Sequence, residues 1–472
     1  MNTFNRISTG SVMLDSILNG GFQIGSLICV AGPPGSGKTI FASNWIYNCV
    51  DKLGKNGLYV SFVERRKSFI ENMHSFGLDF EKLERDGKFK FIEMVTLREV
   101  GIPTILEQIL NEVVKNKVTI LVIDPFSAIS QAMEKTFDVR ILIHTILGKI
   151  VREIGCTTML IIEKTSVEET YESVEFISDC LIHFYKTEVD GALLRCLRIH
   201  KIRGTEILQP SLAFTLKGGF KVFQPIIGEF PKPIKKFKII PHGKDYYSSG
   251  IPDLDKIIGT IFKSGSYNLL EVERNVTLSP ERLFRVIVAN ILNQNGYGVI
   301  LPPQGLSALT VWRALEPFVY EDALKHNLKI VDFKATIVEK VEPYTILLEG
   351  RVLKEDMIKF WDAVSEFRMK SGKPIFTIVG FDTLEYVYGL NEILKILGED
   401  LTKIRNFGDI RLNIVRPECA ISNYLRSLAT THIIVREIYN ALFLQGIKPR
   451  TPLLNIEIST NEETEIKLTP IL

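Results

Sequence analysis

In the first half of the chain, short apolar runs alternate with longer amphipathic stretches. Leu27 to Ala31, Gly57 to Val63, Val118 to Ile123 and Thr157 to Ile162 are short, rich in β-branched residues and bounded by Gly, Lys or Pro. Those features predict buried strands. The stretches 38–52, 66–76, 102–115 and 138–154 carry the longer pattern of helices. Alternation of this kind calls for an α/β fold, a central mostly parallel sheet with crossover helices on its faces. After Asp179 the runs become closely spaced (Leu181 to Tyr185, Leu193 to Arg203, Leu212 to Thr215, Phe220 to Phe223), which predicts an antiparallel extension of that sheet.

The pattern occurs twice. "STGSVMLD" at 8–15 matches "SSGIPDLD" at 248–255, "GSLICV" at 25–30 matches "GSYNLL" at 265–270, and "KNGLYVSF" at 55–62 resembles "QNGYGVIL" at 294–301. A repeat of this length implies two copies of one domain. Prolines and a lysine cluster break the pattern between them, giving an expected domain at 1–225, a linker at 226–247 and a second domain at 248–472. The linker lysines read as a solvated face rather than a nucleic-acid patch.

Composition narrows the partners. With 57 Lys and Arg against 55 Asp and Glu in 472 residues, the net charge of +2 gives no field that would recruit nucleic acid or an anionic membrane. No run approaches the roughly 18 apolar residues of a membrane span, so no membrane insertion is expected. The six cysteines show no paired metal-ligand spacing, and most lie in apolar runs. They read as buried reduced thiols of a cytoplasmic protein.

The most specific chemistry is Gly32-Pro33-Pro34-Gly35-Ser36-Gly37-Lys38-Thr39, which fits G-x-x-x-x-G-K-[ST] between a predicted strand and a predicted helix. Glycines there let backbone N–H groups turn inward around a phosphate, and the helix start adds the positive end of its dipole. Lys38 is expected to reach the β and γ phosphates, and the Thr39 hydroxyl to join Mg²⁺. Asp124, ending the apolar run "VTILVID", is the expected metal carboxylate. Glu64, ending "GLYVSFVE", is the candidate base or water-positioning acid, delivered to the same sheet edge.

"STGSVMLDSILNGGFQIGSLICVAGPPGSGKT", with "GLYVSFVE", "LVIDPFS", "TTMLIIEK" and "KIRG", resembles the KaiC-like branch of the RecA-type ATPases. The resemblance implies two tandem RecA-like domains, ATP and Mg²⁺ as ligands, and a homo-oligomer, usually a hexamer, with ATP held between neighbouring subunits. It implies that Lys201 and Arg203 reach a neighbour's γ-phosphate. As residues alone, they also fit two outward charges alternating along a strand. The family commonly has two adjacent glutamates where this chain has Val63-Glu64, which implies slow hydrolysis. Relatives that phosphorylate themselves carry hydroxyl residues where this chain has Glu175 and Phe176, so that reaction is not expected at this place.

The second copy lacks the equipment. At the repeat spacing, Gly35, Gly37, Lys38 and Thr39 fall against Asn275, Thr277, Leu278 and Ser279, Asp124 against Gly380, and Glu64 against Pro303. Lys448 and Arg450 keep the spacing of Lys201 and Arg203, either as a relic or as a site for another anion. The expected protein is an oligomeric, slowly hydrolysing ATPase whose nucleotide state alters its contacts with a regulatory protein partner. Two alternatives stand beside it: a DNA recombination or repair ATPase, and a nucleotide-binding scaffold with negligible turnover. The first is disfavoured because 164–175 holds four glutamates against one lysine.

Overall fold

The computed structural model describes residues 5–94, 102–130, 145–164, 177–225, 238–243, 246–259, 261–334, 341–459 and 465–471. It divides into two compact units, Met1–Gln224 with Ile471–Leu472, and Pro225–Pro470.

In the first unit the strands are β1 (Leu27–Gly32), β2 (Gly57–Ser61), β3 (Phe89–Glu93), β4 (Ile120–Asp124), β5 (Thr157–Glu163), β6 (Cys180–Val189), β7 (Ala192–Ile202), β8 (Ser211–Thr215) and β9 (Lys221–Val222). They form one sheet in the order β9-β8-β7-β6-β1-β5-β4-β2-β3. Strands β3 through β6 of that row are parallel, and β6 to β9 form the antiparallel extension. Side chains alternate across the sheet. Ile28, Val30, Tyr59, Val122 and Met159 join a core with Phe41, Trp45 and Ile46 of helix α1 (Lys38–Asp51). Cys29, Ala31, Leu58, Leu121 and Ile123 join the other core with Ile105, Leu106 and Ile109 of helix α3 (Ile102–Lys115). Helix α2 (Arg66–Ser75) adds Phe69, Ile70 and Met73 to the α1 face. Both faces of β1 are therefore covered, which is why it reads as an unbroken apolar run. Of the expected helix at 138–154, the described part is helical and closes in a π turn at Lys149–Glu153.

The second unit repeats this order. Its strands are β10 (Tyr267–Val272), β11 (Gly298–Leu301), β12 (Leu328–Phe333), β13 (Thr345–Leu348), β14 (Phe376–Gly380), β15 (Ile410–Val415), β16 (Thr431–Ile438), β17 (Ala441–Lys448), β18 (Leu453–Ser459) and β19 (Glu465–Pro470). The sheet runs β13-β12-β11-β14-β15-β10-β16-β17-β18-β19. Strand β10 stands where β1 stands, β14 where β4 stands and β16 where β6 stands; β13 is an added edge strand. The register refines the sequence match. Gly57 pairs with Ile120 at the start of β4, and Gly298 with Phe376 at the start of β14. Gly298 thus takes the place of Gly57, not Gly296, and Gly305 rather than Pro303 falls opposite Glu64. Neither is an acid. Five of the six cysteines are buried and none is disulfide-bonded. Among the described residues no helix is long and apolar enough to cross a membrane.

Candidate functional site

Residues 32–39 turn from the end of β1 into the start of α1. Gly32 has φ 148°, and a Cβ there would lie 2.2 Å from the Phe184 carbonyl oxygen, so no side chain fits. Gly37, the N-cap of α1, has φ 105°, a left-handed conformation that favours glycine. A cleft of about 520 Å³ opens over this turn, and Lys38, Thr39, Asp124, Glu163, Arg195 and Lys217 are among its lining residues.

Lys38 donates from Nζ to the carbonyls of Gly32 and Pro33, each at 2.8 Å. Its side chain is folded back on its own loop. Burial makes its ammonium easier to deprotonate than an ordinary lysine, while the charges of Glu163 and Asp124 oppose that effect. Asp124 ends β4 and accepts a 2.6 Å hydrogen bond from the Tyr59 hydroxyl. Burial pushes the Asp124 carboxyl above the usual range, and bonds from Tyr59 and Thr39 pull it part of the way back. Thr39 and Asp124 therefore lie close together, and the charges of Asp124 and Glu163 both reach Lys38.

A nucleotide and Mg²⁺ fit these residues. The buried Ser36 hydroxyl in the turn has no partner among the described residues. A cation ligated through Thr39 and Asp124 would complete its shell with phosphate oxygens and water. Among the described residues no three His, Cys, Asp or Glu side chains cluster closely enough to hold a metal by themselves.

Other expected residues are not among those that line the cleft. Glu64 does not line it; its carboxylate accepts a 2.6 Å bond from Asn72 Nδ2, and its main-chain N–H bonds Ser61 Oγ at 2.9 Å. Burial raises the Glu64 carboxyl, the Asn72 bond opposes this, and the charge of Asp124 raises it further. Lys201 and Arg203, at the end of β7, are also outside the lining, and Arg203 pairs with Asp179 at 3.2 Å. Glu175, Phe176 and nearly all of the segments 130–140 and 164–175 lie outside the described residues.

Sequence reasoning missed Tyr59, Glu163, Lys186, Arg195 and Lys217. Strand register explains them. Gly32 pairs with Glu163 across β1 and β5, and Lys186 pairs with Arg195 across β6 and β7. The hairpin thus brings cations beside the turn; a Cβ on Gly35 would meet Lys186 Nζ at 3.2 Å. A run ending "LIIEK" at the same sheet edge as Asp124 was the available signal for Glu163.

Residues 7–225 match the family model described as "ATPase: KaiC". The first unit is KaiC-like. KaiC3 of Synechocystis is 27% identical over 273 residues, covering 54% of this chain and 52% of its own length. KaiC of Synechococcus elongatus is 27% identical over 259 residues, covering 52% of this chain and 48% of its own. The chain thus spans about half the length of these KaiC relatives. A solved KaiC-like protein from Pyrococcus horikoshii is 29% identical with a TM-score of 0.42, covering 47% of this chain and 99% of that one.

The KaiC-like frame continues in the second unit with different chemistry. Lys186 is replaced at its register position by Glu437, since His183 and Ile434 sit opposite Ala31 and Glu271 respectively. The Glu437 carboxylate accepts bonds from the Thr277 main-chain N–H at 2.8 Å and the Thr277 hydroxyl at 2.7 Å. An acid of the chain itself holds the turn that corresponds to 32–39. Beneath it, Glu271 is fully buried and accepts bonds from Ser422, from Arg426 Nε at 2.8 Å and from His432 Nε2 at 2.7 Å. Gly380 stands opposite Asp124, as the match of sequences implied.

Proposed function

We propose that this chain is an ATP-binding and slowly hydrolysing KaiC-like regulatory protein. It works as a homo-oligomer, a hexamer on the family pattern, whose nucleotide state governs contacts with a protein partner. Only the first unit, 1–225, turns over nucleotide; the second, 248–472, serves assembly or partner binding. The observation that carries this reading is the convergence of Lys38, Thr39 and Asp124 on one cleft over the 32–39 turn.

On this reading Lys38 leaves the Gly32 and Pro33 carbonyls and bonds the β and γ phosphates, so nucleotide replaces an internal contact rather than filling a rigid slot. The main-chain N–H groups of 32–39 neutralise charge at the start of α1. Thr39 and Asp124 would hold Mg²⁺, which supplies charge neutralisation between the phosphates. Glu64 orients or deprotonates water after releasing Asn72. Lys201 and Arg203 of a neighbouring copy stabilise the developing γ-phosphate charge.

A nucleotide-binding scaffold with negligible turnover is the second reading. It is favoured by the engagement of the Glu64 carboxylate with Asn72. Particle mass with and without ATP and Mg²⁺, together with phosphate release by wild type and Lys38→Ala, tests both. Nucleotide-dependent assembly with release abolished in Lys38→Ala is expected. A chain that stays monomeric at micromolar concentration overturns the shared site, and assembly without phosphate release selects the scaffold.

A further inference from the structure

Strand β5 lies between the strand that carries the phosphate turn and the strand that ends in Asp124. Its last residue, Glu163, pairs with Gly32, the first residue of the turn. The backbone there is fixed on both sides. The Glu163 N–H bonds Ser127 Oγ at 3.3 Å, and the next N–H, of Lys164, bonds the Gly32 carbonyl at 3.1 Å. The side chain is exposed in the cleft that Lys38, Thr39 and Asp124 line, and its carboxylate has no hydrogen-bond partner among the described residues. Of the two acids whose charge favours protonated Lys38, Glu163 has the larger effect.

With the cation assigned to Thr39 and Asp124, the Glu163 carboxylate is left uncommitted in the same cleft. A carboxylate that faces the phosphates without reaching the cation repels a bare triphosphate, and is compensated once the cation and its waters stand between them. We propose that Glu163 is a positioning residue of this nucleotide site, accepting hydrogen bonds from water around the bound cation and so coupling Mg²⁺ binding to nucleotide binding. The second unit agrees with this assignment. Glu271 pairs with Val415, which puts Arg416 at the register position of Glu163. Where Lys38 and Asp124 are replaced by Leu278 and Gly380, the third acid is replaced by a cation.

The inference rests on the proposed nucleotide site and is tested by calorimetric titration of the full chain with ATP, in Mg²⁺ and in EDTA. For Glu163→Gln the affinity in EDTA should rise by on the order of three- to tenfold, the effect of removing one partly screened charge. The advantage conferred by Mg²⁺ should shrink by a similar factor, and Glu163→Asp should restore part of it. Melting should be unchanged because the side chain is exposed. A Mg²⁺ advantage within twofold of wild type in Glu163→Gln overturns this inference alone. Absence of ATP binding by the wild type in both conditions overturns the proposed function and this inference with it.

Discussion

The Tyr59 hydroxyl donates a 2.6 Å hydrogen bond to Oδ2 of Asp124, across the adjacent strands β2 and β4. Burial holds that phenol well above its ordinary range, so it remains a donor at every working pH. Tyr59→Phe keeps the ring that packs on Phe69 and Phe91 and removes this bond. Asp124, already pushed up by burial, should then bind its proton more tightly. We expect the pH midpoint of Mg²⁺-dependent ATP binding to move upward, with about 1 kcal/mol lost from stability. Titrations at several pH values and chemical denaturation read the two effects separately.

Glu64 has a raised carboxyl, chiefly through burial, so its ionised form is disfavoured in the fold. The neutral form contributes stability that is complete below the ordinary carboxylate value and is lost as pH rises through the higher folded value. Turnover should show the opposite dependence. If Glu64 is the base, phosphate release should fall on acidification with a midpoint above the usual 4.3 or so of glutamate. Glu64→Gln should abolish that limb, and a limb surviving in this variant would assign it to another group.

Arg203 and Asp179 form a half-exposed pair, whose contribution to folding should stay below about 1 kcal/mol. Arg203→Ala should therefore melt close to wild type. If the guanidinium serves a neighbouring copy, phosphate release in the assembled state should drop by about 10³-fold, while ATP affinity of the dilute chain stays within a few fold. Equal losses in binding and turnover would contradict a role in trans.

Glu271 illustrates the second unit's different use of the same place. Burial pushes its carboxyl up, but bonds from His432, Ser422 and Arg426 outweigh that and hold it below the usual range. Its contribution is present above the ordinary carboxylate value and is lost as pH falls through the depressed one. Glu271→Gln should cost about 2 kcal/mol and weaken the acid sensitivity of unfolding. One nucleotide should still bind per chain, measured by titration, because this residue lies in the other unit from Lys38.

Much of this was legible in the sequence because local rules govern it. The strands around residues 27–32, 57–61, 120–124 and 157–163 carry their own apolar signal, and the phosphate turn is contiguous. What was hidden depends on strand order. Lys186, Arg195 and Lys217 approach the turn only because β6 pairs with β1 and folds back through β7 and β8. Strand β3 escaped notice since only Phe89 and Phe91 of "FKFIE" are buried, as suits an edge. The slip at Gly296 has a similar cause. An Asn-Gly pair stands at the start of β2 and again just before β11, where two additional residues shift which glycine meets the neighbouring strand.

The shared strand order means that this chain carries two solutions to one backbone problem. At Lys186 and Glu437, or Glu163 and Arg416, the same address tolerates opposite charges in a folded sheet. Exchanging such residues between the halves is therefore a way to rewrite chemistry while sparing architecture, each half acting as a reference for the other.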